Sequence, residues 1–460
     1  MEELVLTKIV NESYTRLLKI ILEGGDFSAL ENTLKRDLDE LGRTMLEGLV
    51  SEIDEIILQS EERKTHWTVK RTRERAIKTV FGDVLLRRKY FQHKRTRKYA
   101  HLADVYLKID KYQRMSEQVK HNVVMRACDL SYAKSAEVVG MTAQTTSNLL
   151  KGIRETELKQ YQIPEQKRRA ETIFICADED HIAVREKGSQ QQYLVYVYDG
   201  IEEVNDRRKL QNVHYFTQKQ RGSSEDLWLE VTEYVYDVYD IDCIKKIFIM
   251  GDGARWIKQG LGWLPKSVFV LDKWHMTKYI NGACSALQEP EREELHRMLW
   301  RSVKSCDKSQ FLTTVTQMEH LVQDEKQLVK IELMKLYLSN NWKGIRNQKQ
   351  LQHGCSAEGH VSHILSARLS SRPMVWSAEG ANKISLLRTY RANGGDIFSL
   401  NLQSDEQSSI NLGNVGKIRK QLDGKIKGRY ECKQVTIPIR QYGADEGVKK
   451  AIDSLFRYIF

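Results

Sequence analysis

No Cys-x-x-Cys pair occurs among the seven cysteines of this 460-residue chain. They are scattered and odd in number, which excludes a zinc ribbon or disulfide framework and leaves them as reduced thiols, several in the core. No basic stretch followed by an apolar one opens the sequence (Met1-Glu-Glu-Leu-Val-Leu-Thr-Lys), and no apolar run approaches bilayer-spanning length. The expectation is a cytoplasmic protein with no membrane partner. Internal repeats and low-complexity tracts are also lacking. The pair Gly251-Asp-Gly lacks the rest of a dinucleotide fingerprint and places a carboxylate where a pyrophosphate would sit.

What is present in excess is positive charge: 73 Lys+Arg against 62 Asp+Glu, a formal net charge of +11. That balance points toward polyanion partners. The length suggests roughly three domains of ordinary size. Residues 1–62 read as amphipathic helices, because Leu41, Met45, Leu49, Ile53, Ile56 and Ile57 recur at helical spacing, a packing or dimer face. Residues 63–110 hold two basic runs, Lys70-Arg-Thr-Arg-Glu-Arg and His93-Lys-Arg-Thr-Arg-Lys, around a hairpin turning near Gly82-Asp83.

Residues 111–160 carry a helix-turn-helix spacing. Ala136 and Val139 face inward on a first short helix, Gly140 supplies the turn and Thr142 can cap the second, whose apolar face is Leu149, Leu150 and Ile153. The second helix offers Gln144, Thr145, Ser147, Asn148 and Lys151, side chains suited to base edges and phosphates. The implied partner is double-stranded DNA. A polar linker with Pro164 spans 156–170.

Beyond it the pattern turns strand-rich. Ile173–Ala177, Tyr193–Tyr198 and Val213–Phe216 read as strands, Ser224–Asp240 as a helix, then Lys246–Met250 and Ser267–Leu271 as buried strands. Three strands, a helix, then alternating strand and helix is the order of a ribonuclease-H-like layer. The expected fold is α/β: a ribonuclease-H-like catalytic domain (168–275, resuming at 351–400) with an all-helical insertion at 276–350 anchored by Trp300 and Trp342. A mostly helical N-terminal region containing the helix-turn-helix precedes it. A basic region at 401–460, with Lys417, Arg419, Lys420, Lys425, Lys427 and Arg429, follows.

Three carboxylates stand out. Asp178 ends the run Thr172-Ile-Phe-Ile-Cys-Ala, Asp252 ends Lys246-Ile-Phe-Ile-Met-Gly, and Glu358 lies in Gly354-Cys-Ser-Ala-Glu-Gly-His. Two acids at the exits of buried strands, joined by a third from downstream, make an oxygen cluster for two Mg²⁺ or Mn²⁺ ions, and phosphodiester chemistry uses such a pair. Asp180 shares a strand face with Asp178, so either is a candidate ligand.

The strings Ala177-Asp-Glu-Asp-His, Gly251-Asp-Gly-Ala-Arg-Trp-Ile, Leu271-Asp-Lys-Trp-His and Gly354-Cys-Ser-Ala-Glu-Gly-His-Val-Ser-His, continuing through Ser370-Ser-Arg-Pro-Met-Val-Trp, resemble bacterial insertion-sequence transposases of the ISLre type. That group is similar to the Mutator-like DDE transposases, and the likeness spans nearly the whole chain. It implies a DDE triad matching Asp178, Asp252 and Glu358 and a helical insertion before the Glu. Asp272 and His275 match the (Cys/Asp)-x-x-His motif of that superfamily, with packing or support of the ligands, like Asp180, as the expected role. His360 and His363 are candidates for DNA or ligand contact, and Arg368 and Arg372 for holding phosphates. Val375 departs from the small residue expected there. The implied activity is cleavage at terminal inverted repeats and joining of the 3′-hydroxyls to target DNA by an enzyme at least dimeric on DNA. The alternatives are a transposase-derived sequence-specific DNA-binding protein, or a ribonuclease-H-like nuclease without strand transfer.

Overall fold

The computed structural model describes residues 2–402 apart from 186–187, 206, 219–221, 286 and 352. The basic stretch from Lys417 to Arg429 and Cys432 lie outside the described residues. Among the described residues no helix is long and apolar enough to cross a membrane. The described residues divide into two compact units, one of residues 2–116 and one of 117–402.

In the first unit a long helix, Phe27–Gln59, starts where the Asp26 carboxylate accepts the Ala29 N–H at 2.8 Å. Its apolar stripe divides: Ile53, Ile56 and Ile57 are buried with Trp67 and Phe91, whereas Met45 and Leu49 stay exposed. The hairpin pairs β1 (Trp67–Thr79) with β2 (Gly82–His93), and β3 (Tyr99–Ala100) adds to β2. Thr79 pairs with Gly82, so the turn sits at Val80–Phe81, just ahead of Gly82-Asp83. The first basic run does not flank the hairpin; it is part of β1, with Arg73 stacked 4.4 Å over the Tyr90 ring.

The second unit opens with helices Glu117–Ala127, Tyr132–Glu137 and Ala143–Gly152. Gly140 turns the chain at φ +60°, a conformation a side chain disfavours. Thr142 occupies the cap position without a side-chain cap bond; Thr146 instead donates to the Tyr132 carbonyl at 3.0 Å and ties the two helices. These helices are not a free-standing module. Val124, Leu150 and Ile153 share one apolar core with Cys176, Leu194 and Tyr196 of the sheet. The expected linker is fastened too, with Tyr161 donating to Asp237 at 2.7 Å and the Arg168 N–H to the Val238 carbonyl at 2.7 Å.

The sheet is mixed. Its strands are β4 (Thr172–Val184), β5 (Gly188–Tyr198), β8 (His214–Thr217), β9 (Lys246–Gly251) and β10 (Ser267–Leu271), in the order β10-β9-β4-β5-β8. A separate ribbon, β6 (Gly200–Val204) with β7 (Arg207–Gln211), falls between β5 and β8 and has no counterpart in the sequence reading. Strands β9 and β10 run parallel to β4, β5 runs antiparallel to β4, and β8 runs antiparallel to β5. Alternation along β4 sends Ile173, Ile175 and Ala177 to one core and Cys176, Ile182 and Val184 to the other, so helices cover both faces. Helix Ser224–Val238 begins with a capping box in which Ser223 and Asp226 each accept the other's backbone N–H.

Helices Glu291–Ser305, Lys308–Leu321, Glu325–Asn340 and Trp342–Asn347 fill the region read as an insertion. Phe311, Met318, Ile331 and Leu338 join the sheet core, with Trp342 buried against Phe311 and Trp300 partly buried at its margin.

Candidate metal centre

Strand register brings the first two carboxylates together. The β4–β9 pairing ends at Cys176↔Met250. Two residues further along each strand stand Asp178 and Asp252, at the carboxyl end of the parallel pair where ligand sites of such sheets form. Close approach of the strands depends on Gly251: a Cβ there would lie 2.6 Å from the Ala177 carbonyl oxygen, and a backbone atom cannot swing aside. Gly251→Ala is therefore expected to cost about 1–3 kcal/mol of stability, read from the urea midpoint, and to lower any activity at the site. An unchanged midpoint would mean the strands part without penalty.

Strand β10 delivers the next pair. Leu271 pairs with Gly251, and the Asp272 N–H donates to the Gly251 carbonyl at 2.7 Å. Asp272 then caps helix Lys273–Cys284, accepting the Trp274 N–H at 3.2 Å and the His275 ring Nδ1 at 2.9 Å. Glu358 comes from the short helix Ala357–Val361, whose start is held to β5 by Ser356 Oγ against Tyr196 OH at 3.0 Å. That helix runs into a π-turn, Ser362–Ser366, with Ile364 and Leu365 buried in the core.

Ligand atoms of Asp178, His275 and Glu358 all lie within 4.8 Å of one another. Asp252 is beside this group, its Oδ1 accepting the Ala254 N–H at 2.8 Å and its carbonyl accepting Tyr337 OH at 2.6 Å. Asp178 is buried; its Oδ1 accepts the Glu179 N–H at 2.9 Å, and its Oδ2 meets no donor among the described residues. Burial foremost, with the charges of Glu179 and Asp252, pushes the Asp178 carboxyl up to about 7 against the lowering pull of that N–H and His275. Burial lowers the His275 pKa, but the bond to Asp272 and the charges of Asp178, Asp272 and Asp252 outweigh it and leave it raised. A buried, unpartnered carboxylate oxygen among acids and an imidazole is a donor set suited to a divalent cation.

The structure separates the two candidates on β4. Asp178, not Asp180, has an oxygen grouped with His275 and Glu358; Asp180 Oδ1 accepts Ser370 Oγ at 2.8 Å, and its Oδ2 is likewise buried with no donor among the described residues. His275, expected as support, stands among the ligand atoms. His360 sits in an aromatic nest, bonded to Tyr215 OH at 2.9 Å and ringed by Tyr196, while His363 is exposed.

Arg368 does not reach outward to phosphates. It is buried, donates to the Ala127 carbonyl at 3.2 Å and lies 4.6 Å over the Trp376 ring. Arg372 is exposed, as is Val375. On the second helix of the helix-turn-helix, Gln144, Asn148 and Lys151 are exposed and Thr145 half-exposed; Gln144 donates to Asn148 at 2.7 Å and Lys151 pairs with Glu379 at 3.0 Å. Sequence reasoning passed over Arg388 and Tyr337, because neither stands in a motif and each acts by reaching distant backbone.

Fold and site together define a mixed α/β protein with a carboxylate–imidazole cluster at the ends of its parallel strands. The chain belongs to the family described as Uncharacterised protein family (UPF0236), whose profile matches residues 21–406. A UPF0236 protein of Caldanaerobacter subterraneus subsp. tengcongensis, named by eleven locus labels, is 34% identical over 436 residues, covering 93% of this chain and 91% of its own. A second from that organism, with four locus labels, is 34% identical over 434 residues, covering 93% and 91%. The "UPF0236 protein in vanSb 3'region" of Streptococcus gallolyticus is 24% identical over 400 residues, covering 83% of this chain and 86% of its own. Among solved structures, the Drosophila P element transposase strand transfer complex aligns with 63% of this chain and 83% of that one at 11% identity and a TM-score of 0.24.

Proposed function

We propose that this chain is a DDE transposase with a ribonuclease-H-like catalytic core, which binds the ends of its own element, cleaves there and joins the 3′-hydroxyls to target DNA. The observation carrying this reading is the convergence of Asp178, Glu358 and His275, with Asp252 alongside, from segments far apart in sequence. The strand order supports the core assignment: counted along the chain the five strands lie 3-2-1-4-5, the first three antiparallel and the last two parallel to the first. Relatives whose single name covers eleven or four loci of one genome fit an element that copies itself.

In this reading Asp178, Asp252 and Glu358 hold two Mg²⁺ or Mn²⁺ ions. When bound, such ions activate the attacking oxygen and stabilise the leaving one. The chain's own part is placement: Gly251 keeps β4 and β9 close, Asp272 orients His275, and burial keeps water from the Asp178 side of the cluster. The exposed basic face of β1, with Lys70, Arg71 and Arg73, supplies phosphate contacts, and the helix Ala143–Gly152 reads base edges. Two element ends must be brought together, so a dimer on DNA is part of the proposal.

The decisive test offers the purified chain its own flanking DNA with Mg²⁺ or Mn²⁺. Metal-dependent nicks with 3′-hydroxyls at the element boundary, followed by joining to a second duplex, are the expected products. No cleavage of those ends under any divalent metal would defeat the reading. Gln144→Ala and Asn148→Ala are each expected to weaken binding to the ends by about 1–3 kcal/mol while changing binding to random duplex little. Equal losses on both, measured by fluorescence anisotropy, would remove base reading from this helix.

A further inference from the structure

The geometry points to His275 as a direct metal ligand, making this a mixed nitrogen–oxygen centre that takes Mn²⁺ in preference to Mg²⁺. Among the described residues, ligand atoms of Asp178, Glu358 and His275 gather within 4.8 Å of one another, the imidazole alongside the two carboxylates. Asp252 is engaged by the Ala254 N–H and stands outside that group.

The ring is oriented for the task. Asp272 Oδ2 lies 2.9 Å from His275 Nδ1, so in the tautomer with the proton on Nδ1 the ring keeps the Nε2 lone pair for a cation. Asp272 is itself immobilised: it is buried, it caps the helix that carries His275, and its N–H is bonded to Gly251 of the neighbouring strand. A carboxylate behind an imidazole is the usual way a metal-binding histidine is aimed. Independently, Asp178 is 5% exposed and its Oδ2 is buried without a partner, so the cluster holds an acceptor that nothing among the described residues satisfies.

Ligand chemistry then sets the ion. Mg²⁺ demands a near-ideal octahedron of oxygens with retained waters, while Mn²⁺, which also favours oxygen, accepts a nitrogen ligand more readily, so replacing one oxygen by nitrogen tilts the site toward Mn²⁺ relative to Mg²⁺. Asp272 is a positioning residue here, acting through His275. The inference deepens the proposed function and rests on it only in treating the cluster as a cation site.

Pulsed electron paramagnetic resonance of the full-length chain loaded with Mn²⁺ tests it without any variant. A nitrogen hyperfine coupling of imidazole type on the bound ion is expected. His275→Ala should abolish that coupling and weaken Mn²⁺ binding at least about tenfold while changing Mg²⁺ competition far less. Asp272→Asn should keep the coupling and weaken Mn²⁺ binding about 10–100-fold. His275→Gln is the companion variant if the alanine form misfolds, and it should also lose the coupling. Mn²⁺ held with no nitrogen coupling, or with unchanged affinity in His275→Ala, overturns this inference and leaves the proposed function standing. A wild-type chain that binds neither ion overturns both.

Discussion

Asp178→Asn, Asp252→Asn and Glu358→Gln should each lower metal-dependent strand cleavage by about a thousandfold or more and leave DNA affinity within about twofold. Each change keeps the side chain's shape and removes the negative charge that would hold the cations. The three variants should differ in stability. Glu358 is exposed, so its amide replacement is neutral for folding. Asp178 is buried with an unpartnered Oδ2 and a pKa pushed up to about 7, so at pH 8 the folded metal-free protein carries an uncompensated buried charge. The sign follows: folding holds the Asp178 proton more tightly than the unfolded chain does, so this group's stability penalty grows as pH rises from the ordinary carboxylate range to about 7. Asp178→Asn lifts that penalty, and its thermal midpoint at pH 8 without metal should equal or exceed wild type while cleavage is lost. Cleavage of end-labelled DNA and gel-shift binding read the first part, and a thermal melt the second. Wild-type cleavage in any one variant removes that residue from the catalytic set.

Arg388→Leu should produce the largest loss of stability, about 3–5 kcal/mol in urea unfolding. Its guanidinium is buried and donates to four acceptors: the carbonyls of His363, Ile364 and Cys128, and the Asp129 carboxylate at 2.6 Å. The first two belong to the π-turn after Glu358, where the wider spacing of backbone bonds exposes carbonyls. The other two follow helix Glu117–Ala127, just ahead of the helix-turn-helix. One side chain thus joins the turn after helix Glu117–Ala127 to the π-turn that continues the helix bearing Glu358, and leucine would leave buried carbonyls unpaired. Arg391→Leu is the control, because Arg391 meets Asp129 at the surface, where ion pairs contribute about 1 kcal/mol or less. Equal small losses in both would show that the buried tie is dispensable.

The elements were legible where local pattern suffices. Apolar runs of five or six residues marked β4, β9 and β10, helical spacing marked Ser224–Val238, and Gly140 marked the turn between two short helices. Ribbon β6–β7 escaped because its residues are mostly polar and exposed, so no alternation betrays it. The helix-turn-helix read as a domain of its own because its amphipathic pattern is local, while its burial against Cys176 and Tyr196 joins residues far apart in the chain.

Arg368 and His275 show the same division. Arg368 beside a candidate active site reads as a phosphate contact, yet the fold buries it over Trp376 because the Ala127 carbonyl lies within its reach. For His275, sequence supplies a motif and a residue type. Only the fold places its ring among the acids, because Asp272 caps its helix and turns it there.

By itself the sequence determined which residues could do chemistry and on which elements they ride, since burial period, turn residues and charge are properties of neighbours along the chain. The tertiary structure decided which of them meet, which stay buried as struts and which face solvent. Those outcomes depend on strand register and long-range packing, which no local window of sequence contains.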